Sequence, residues 1–244
     1  MHMVLHDDGH TGIFCANSLL PINELVRLAE KATVPRTLHP HEGQFKVLMT
    51  NPPFGSKGKV TDKKLLAEFQ LGYKWKKEDD GRWTKTNKVL DGQIPEILFI
   101  ERSLQLLGEG GRMAIVLPNG TLNNSSLEYV RDFIKQNSRI LAVVSLPVGT
   151  FMSAGANPQP SVLFLQKLSK GDAEKLNKKD YPIFMAIVEK IGYDLTTKTA
   201  PPIYKRDEKG EYLVDKNRER ILDTDIPEII EKFEEFKQNH DLGF

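Results

Sequence analysis

The stretch KVLMTNPPFGSKGK, Lys46–Lys59, places an amide, two prolines and a phenyl ring directly after an apolar run. The side-chain oxygen of Asn51 is a hydrogen-bond acceptor, and Pro52, which lacks an N–H, still offers its carbonyl. Pro53 holds its own φ at about −65° and confines Pro52 to extended backbone. The turn is therefore stiff and carries two acceptors in a fixed relation, with the Phe54 ring beside them. A planar ligand bearing an –NH2 group suits it: the ring stacks on Phe54 and each amine hydrogen meets an acceptor. Stacking of a base on an aromatic side chain contributes roughly 1–3 kcal/mol. An exocyclic amine is a poor nucleophile because its lone pair is delocalised into the ring. Two fixed acceptors favour a more tetrahedral nitrogen, which is electrostatic preorganisation and not bulk base catalysis. A base within a duplex must first leave its stack, at a cost of a few kcal/mol. The same residues also make a plain strand-ending turn with Phe54 in the core. Their place after a continuous apolar strand, with Gly55 following, favours the ligand reading. The Lys-Gly-Lys tail is not a phosphate loop, since Pro53 stands where the first glycine belongs and Val60 where Ser or Thr belongs.

The surrounding pattern says what must position this turn. Ile13–Ala16 reads as a short strand ending at Asn17-Ser18, and Ile22–Lys31 as a helix. Gln44–Thr50 is a continuous apolar run, the signature of a strand covered on both faces. Ser56–Lys88 turns polar and lacks clear periodicity, which predicts a long functional or mobile loop. Gln93–Leu107 is helical, with Ile97, Ile100, Leu104 and Leu107 on one face and Gly108 just past its end. Gly111–Pro118, Arg139–Pro147, Ser161–Lys167 and Pro182–Glu189 read as strands, residues 126–136 as a helix, and Gly149–Pro160 as a loop. Asp225–Lys237 is a helix with Asp225 as N-cap and Pro227 in its first turn. Alternation of helices with continuous apolar strands predicts an α/β fold, a mostly parallel sheet with helices on both faces. Ligands of such sheets bind beyond the carboxyl ends of the strands. Asn17-Ser18, Asn51–Phe54 and Pro118-Asn119-Gly120 are all predicted there.

Composition bounds the rest. The 244 residues are 39% hydrophobic and 27% charged, ordinary for a globular protein, with a net charge of only +1. Contact with a polyanion would come from local basic patches. Lys57, Lys59, Lys63, Lys64, Lys74, Lys76, Lys77, Arg82, Lys85 and Lys88 make one beside the Asn-Pro-Pro-Phe turn, interspersed with Tyr73, Trp75 and Trp83. It reads equally as a surface touching phosphates and packing on bases, or as a solvated loop with structural aromatics. A single cysteine, Cys15, leaves no internal disulfide and no cysteine zinc cluster. The histidines lack metal-ligand spacing. No run approaches the roughly 18 apolar residues of a membrane span, so no membrane partner is expected, and a reducing cytoplasm fits.

Asn-Pro-Pro-Phe after a buried strand resembles the catalytic motif of DNA methyltransferases that modify amino groups, the adenine-N6 type in particular. LFIERSLQLLGEGGRMAIVLPNGTL (Leu98–Leu122) and ILAVVSLPVGTFMSAGANPQPSVLFLQK (Ile140–Lys167) are similar to the modification (M) subunits of type I restriction-modification systems. Ile183–Asp194 and Asp225–Lys237 resemble that family too, so the likeness runs from about Met3 to Lys237. The resemblance implies a Rossmann-like fold and transfer of a methyl group from S-adenosyl-L-methionine to N6 of adenine in duplex DNA. That transfer would run in line, without a covalent enzyme intermediate. Asn51 and the Pro52 carbonyl would hold the flipped adenine's amine, Pro53 would stiffen the turn and Phe54 would stack on the base. Asn17 matches a position near the cofactor's adenine, and equally reads as a loop cap. Phe151 would wall the base pocket, or simply anchor its loop. Lys57, Lys59 and Lys76 would touch DNA. The partners implied are duplex DNA, a specificity subunit and a restriction subunit.

The family's Gly-rich cofactor loop, between its first strand and a helix, has no match. GEGG (Gly108–Gly111) follows a helix and precedes a strand, the reverse context. The opening residues match the family just after its second strand. The expectation is a carboxyl-terminal portion, with residues 1–168 a truncated catalytic domain and 169–244 an extension ending in a helix. Such a chain binds cofactor poorly and methylates little alone, and a separate amino-terminal M fragment joins the candidate partners. In the family's sheet the first strand lies beside the Asn-Pro-Pro-Phe strand. Without it, Gln44–Thr50 pairs through that edge in an oligomer, or Gly12–Ala16 moves into the gap. The competing reading is a non-catalytic remnant or assembly module that binds DNA or partner subunits. Amino methylation of a protein glutamine or an RNA base fits less well, because those enzymes more often carry Tyr in the place of Phe54.

Overall fold

A computed structural model describes residues 14–55, 58–152, 159–169, 171–172, 176 and 180–240. Its elements in chain order are α1 (Ile22–Lys31), β1 (Phe45–Thr50), α2 (Lys63–Ala67), β2 (Tyr73–Lys77), β3 (Trp83–Val89), α3 (Pro95–Leu106) and β4 (Leu107–Pro118). Then come α4 (Asn119–Asn123), α5 (Glu128–Asn137), β5 (Ser138–Ser145), β6 (Pro160–Lys167), β7 (Phe184–Ile187) and α6 (Ile226–Asn239). Five strands form one sheet in the order β1-β4-β6-β5-β7. β1 runs parallel to β4 and β7 parallel to β5, while β6 is antiparallel to both its neighbours. All strands but β6 therefore end on the same side.

The two faces of the sheet differ in cover. Met113, Ile115 and Leu117 of β4 and Leu163 and Leu165 of β6 point to one face, where Ile97, Ile100 and Leu104 of α3 and Val130, Phe133 and Ile134 of α5 close the core. On the opposite face a row runs in register from Met49 through Ala114, Phe164 and Ala142 to Phe184. α6 covers only the Phe184 end of it, with Phe233 and Phe236 meeting the Phe184 ring at 5.2 and 5.5 Å. Helices thus lie on both faces, and the fold is the mixed, mostly parallel α/β arrangement expected.

Several expectations need correction. β1 is not covered on both faces: Val47 and Met49 are 62% and 72% exposed, because α6 does not reach the β1 end. Among the described residues no strand pairs with the outer edge of β1. Phe14–Ala16 form no strand and do not fill that gap; residues 12 and 13 lie outside the described residues. A single short apolar run, lacking a paired neighbour, has nothing to hold it extended. The polar segment 58–88 is not a loop but α2, a 3₁₀ turn and the antiparallel β2–β3 hairpin. Only Tyr73 and Trp75 of β2 and Trp83, Thr86 and Val89 of β3 are partly buried, so little apolar patterning marks the hairpin. Pro118-Asn119-Gly120 ends β4 and runs directly into α4, which Asn119 opens. Asp225 precedes α6 but does not cap it; its Oδ2 accepts the N–H groups of Glu189 and Lys190 at 2.9 and 2.8 Å instead. Two tertiary donors outcompete one local one.

Candidate functional site

Asn51 leaves the sheet at the carboxyl end of β1. Thr50 is paired with Ile115, so the turn starts two residues short of Pro118, the end of β4, about 7 Å along that strand. Within the turn Pro52 is buried, Phe54 is half-buried, and Asn51, Pro53 and Gly55 are exposed. Among the described residues no group engages the Asn51 amide. Its acceptor oxygen is open to a ligand, as a clamp requires.

The Phe54 ring meets the Phe151 ring edge to face, with centroids 5.9 Å apart and planes at 78°. Phe151 lies in the loop after β5, which is three strands from β1, roughly 14 Å at the usual strand spacing. That loop must reach back across the ends of β6 and β4. It does so as a tight turn: Thr150 donates its hydroxyl to the Pro147 carbonyl at 2.6 Å, and Met152 N–H bonds to the Gly149 carbonyl at 2.8 Å. Gly149 has φ +90°, a conformation that strains other residues, and a Cβ there would crowd the Leu195 carbonyl oxygen at 3.1 Å, so glycine is favoured. The two phenyl rings singled out in the sequence are thus in contact with each other.

The basic residues are distributed differently. Trp75 packs on Tyr129 and Phe133, Trp83 packs on Tyr129, and Lys77 pairs with Glu128 at 2.8 Å. Trp75 and Trp83 thus dock the hairpin to α5, as in the reading of structural aromatics. Lys76 is exposed and paired with Glu78 at 3.0 Å. The exposed Lys59 runs its stem past Gly92. Lys57 lies outside the described residues.

Asn17 is not brought to the turn by any contact. Its Oδ1 accepts Leu19 N–H at 3.1 Å and its carbonyl accepts Leu20 N–H at 3.0 Å, the loop-cap geometry. The loop is pinned to α3 by Arg102, whose Nη2 donates to the Leu19 and Leu20 carbonyls at 3.1 and 2.9 Å. Asn119 is turned inward, its Oδ1 accepting the Ser161 hydroxyl at 2.5 Å. An open cleft of about 590 Å³ nearby is lined by Asn119, Asn123, Ser145, Ser161, Met185 and Ile187 among others, and by none of Asn51–Phe54.

One contact was missed from the sequence. Gly55 N–H donates to Oε1 of Glu96 at 3.2 Å, tying the turn to the first turn of α3. The signal available was a charged residue, in QIPEILFI, opening a helix that is otherwise buried.

Comparison with known proteins settles the kinship of this geometry. The profile of the N-6 DNA Methylase family matches residues 1–243. The chain belongs to the N-6 DNA Methylase family. Within it, the chain is 26% identical over 143 residues to the type I restriction enzyme EcoEI methylase subunit of Escherichia coli. That match takes in 57% of the chain and 25% of the relative, so the chain spans about a quarter of the curated protein it resembles. Solved structures similar to it include a class I S-adenosylmethionine-dependent methyltransferase of Listeria monocytogenes, at 20% identity and TM-score 0.44, covering 65% of this chain and 40% of that one. A modification subunit of a type I restriction enzyme from Vibrio vulnificus follows at 17% identity and TM-score 0.41, covering 81% and 32%. Asn51–Phe54 lie where β1 leaves the sheet, within the matched residues.

Gly108–Gly111 do not form a Gly-rich cofactor loop for S-adenosyl-L-methionine: they lie within β4 and not between a strand and a helix.

Proposed function

We propose that this chain is the base-gripping part of a type I modification methyltransferase acting on N6 of adenine in duplex DNA. Asn51 Oδ1 and the Pro52 carbonyl take the two amine hydrogens of a flipped adenine. Phe54 and Phe151 bound its ring, and Pro53 keeps the two acceptors from drifting apart. The observation that carries this reading is the edge-to-face Phe54–Phe151 pair beside the unengaged Asn51 amide. S-adenosyl-L-methionine is the methyl donor, supplied from residues other than those described. The chain alone therefore binds the cofactor weakly and turns over little. A separate amino-terminal M fragment, a specificity subunit and a restriction subunit complete the assembly, in the cytoplasm. Lys59, with Lys57 and Lys76, supplies phosphate contacts, which position DNA without reading its sequence.

The test is a labelled methyl-transfer assay on duplex DNA, run with and without an amino-terminal M fragment and a specificity subunit. Methylation is expected only in the complemented mixture, and is lost there in Asn51→Ala. Micromolar cofactor binding by the chain alone in calorimetry would overturn the division of labour. The bare β1 face supports a second reading, a non-catalytic assembly module. It predicts partner binding with no methylation in any mixture.

A further inference from the structure

Glu96 is the second residue of α3 and is 2% exposed. Its Oε1 accepts the N–H of Gly55, the residue directly after Phe54. Its Oε2 is buried too and has no hydrogen-bond partner among the described residues. A buried carboxylate with one oxygen unsatisfied is costly, and a buried polar group of that kind calls for a reason. The start of α3 offsets part of the cost, because the helix dipole favours a negative charge there. A leucine would fill the same space at no such cost. What leucine could not do is hold a backbone N–H. Gly55 has φ +92° and no heavy atom within 4 Å of a Cβ position, so packing does not fix it. Across residues 52–55, the bond to Glu96 is the only hydrogen bond recorded among the described residues.

We propose that Glu96 is a positioning residue for the amine-binding turn: a charged acceptor anchored in α3 that sets where the Phe54 ring and the Pro52 carbonyl stand relative to the sheet. The proposal rests on the base-gripping reading above. Because Glu96 belongs to a core helix, the aim of the turn is coupled to the core.

The test uses the ¹⁵N-labelled chain. Amide hydrogen exchange is read residue by residue, and adenosine is titrated while the Asn51 side-chain amide and the Phe54 signals are followed. In the wild type the Gly55 amide is protected and adenosine shifts both residues. In Glu96→Ala, Gly55 exchange accelerates by about tenfold or more, as loss of a charge-assisted bond requires. Adenosine affinity falls by a similar factor, while α3 amides beyond the first turn keep their protection. Glu96→Gln retains an acceptor of the same shape and recovers part of both effects. It also decides the matter if Glu96→Ala does not fold. Unchanged Gly55 exchange in a folded variant overturns the proposal. So does faster exchange with unchanged adenosine affinity, which would leave Glu96 a structural role only. A wild-type chain with a protected Gly55 amide and no response to adenosine would instead sink the base-gripping reading, and the positioning role with it.

Discussion

In the proposed function Asn51 and Phe54 divide the work of holding a planar base, one by directed acceptance and one by stacking area, and their removal should read differently. Phe54→Ala removes a stacking face, so adenosine binding should weaken by roughly 1–3 kcal/mol, about 5- to 150-fold. Asn51→Ala leaves that face and removes an acceptor aimed at the amine. Binding should then change less than turnover, which should fall at least about 100-fold in the complemented enzyme, as for other preorganised hydrogen-bonding groups. An Asn51→Ala chain whose binding and turnover drop in equal proportion would mean the amide serves only to bind. The exposed Asn51 side chain makes the variant a clean one, with stability expected within about 0.5 kcal/mol of the wild type. Glu101 gives a contrasting case in which the buried carboxylate serves the fold. Its two oxygens accept the N–H groups of Gln70 and Leu71, both at 2.8 Å. Burial pushes its carboxyl above the ordinary glutamate value, and those two donors pull it back only in part. Between the unfolded and the raised folded value the native state binds more protons, so stability falls as pH rises through that window. Glu101→Gln presents an NH2 group to one of the two donors and should cost about 1–3 kcal/mol. Urea unfolding across a pH series should show the wild-type advantage shrinking as pH rises through the window. A gap that widens would contradict the burial-driven shift.

At the scale of elements, the aromatic lock of α6 and its surface ion pairs make unequal contributions. Phe233→Ala removes a half-buried ring from the Phe184 contact and should lower stability by about 1–3 kcal/mol in urea unfolding. Lys232→Ala removes an exposed i,i+4 pair with Glu228 and should cost less than about 0.5 kcal/mol. Equal costs would mean that the helix is held by its own surface and not by docking. α1, α3 and the sheet strands β4, β5 and β6 were legible because their apolar residues recur with the period of their element. The Asn51–Phe54 turn could be singled out because its residues are consecutive. What could not be read depends on distant partners. The β2–β3 hairpin shows its pattern only once Trp75 and Trp83 are seen against α5. Asp225 looks like a cap until the Glu189 and Lys190 amides arrive. Glu96 is separated from Gly55 by 41 residues, and no local pattern announces that bond. β1 misled for a physical reason: an apolar run records what a strand is fit to touch, and does not say whether the partner is present.

At the scale of the molecule, the row Met49–Ala114–Phe164–Ala142–Phe184 is covered at one end and bare at the other. The strand that bears the proposed base-gripping turn thus also has, among the described residues, no partner at its outer edge, and it exposes Val47 and Met49. An apolar edge strand is a template for pairing with another chain. The same edge is where the family resemblance places a further strand, so one surface would serve assembly and hold the catalytic turn. The chain studied alone should therefore associate as its concentration rises through the micromolar range, where exposed edges are known hazards. Sedimentation velocity should show the weight-average size growing with concentration. A Val47→Lys, Met49→Lys double variant should shift this growth to higher concentration, because charge on an edge strand opposes pairing. Both side chains are exposed, so the variant should unfold at nearly the same urea concentration as the wild type. Association that persists undiminished in the lysine variant would place the contact elsewhere. A wild-type chain that stays monomeric across the range would show that the β1 edge is protected by something other than a second strand. If the edge also admits an amino-terminal M fragment, adding that fragment should suppress self-association in the wild type and do so less well in the lysine variant.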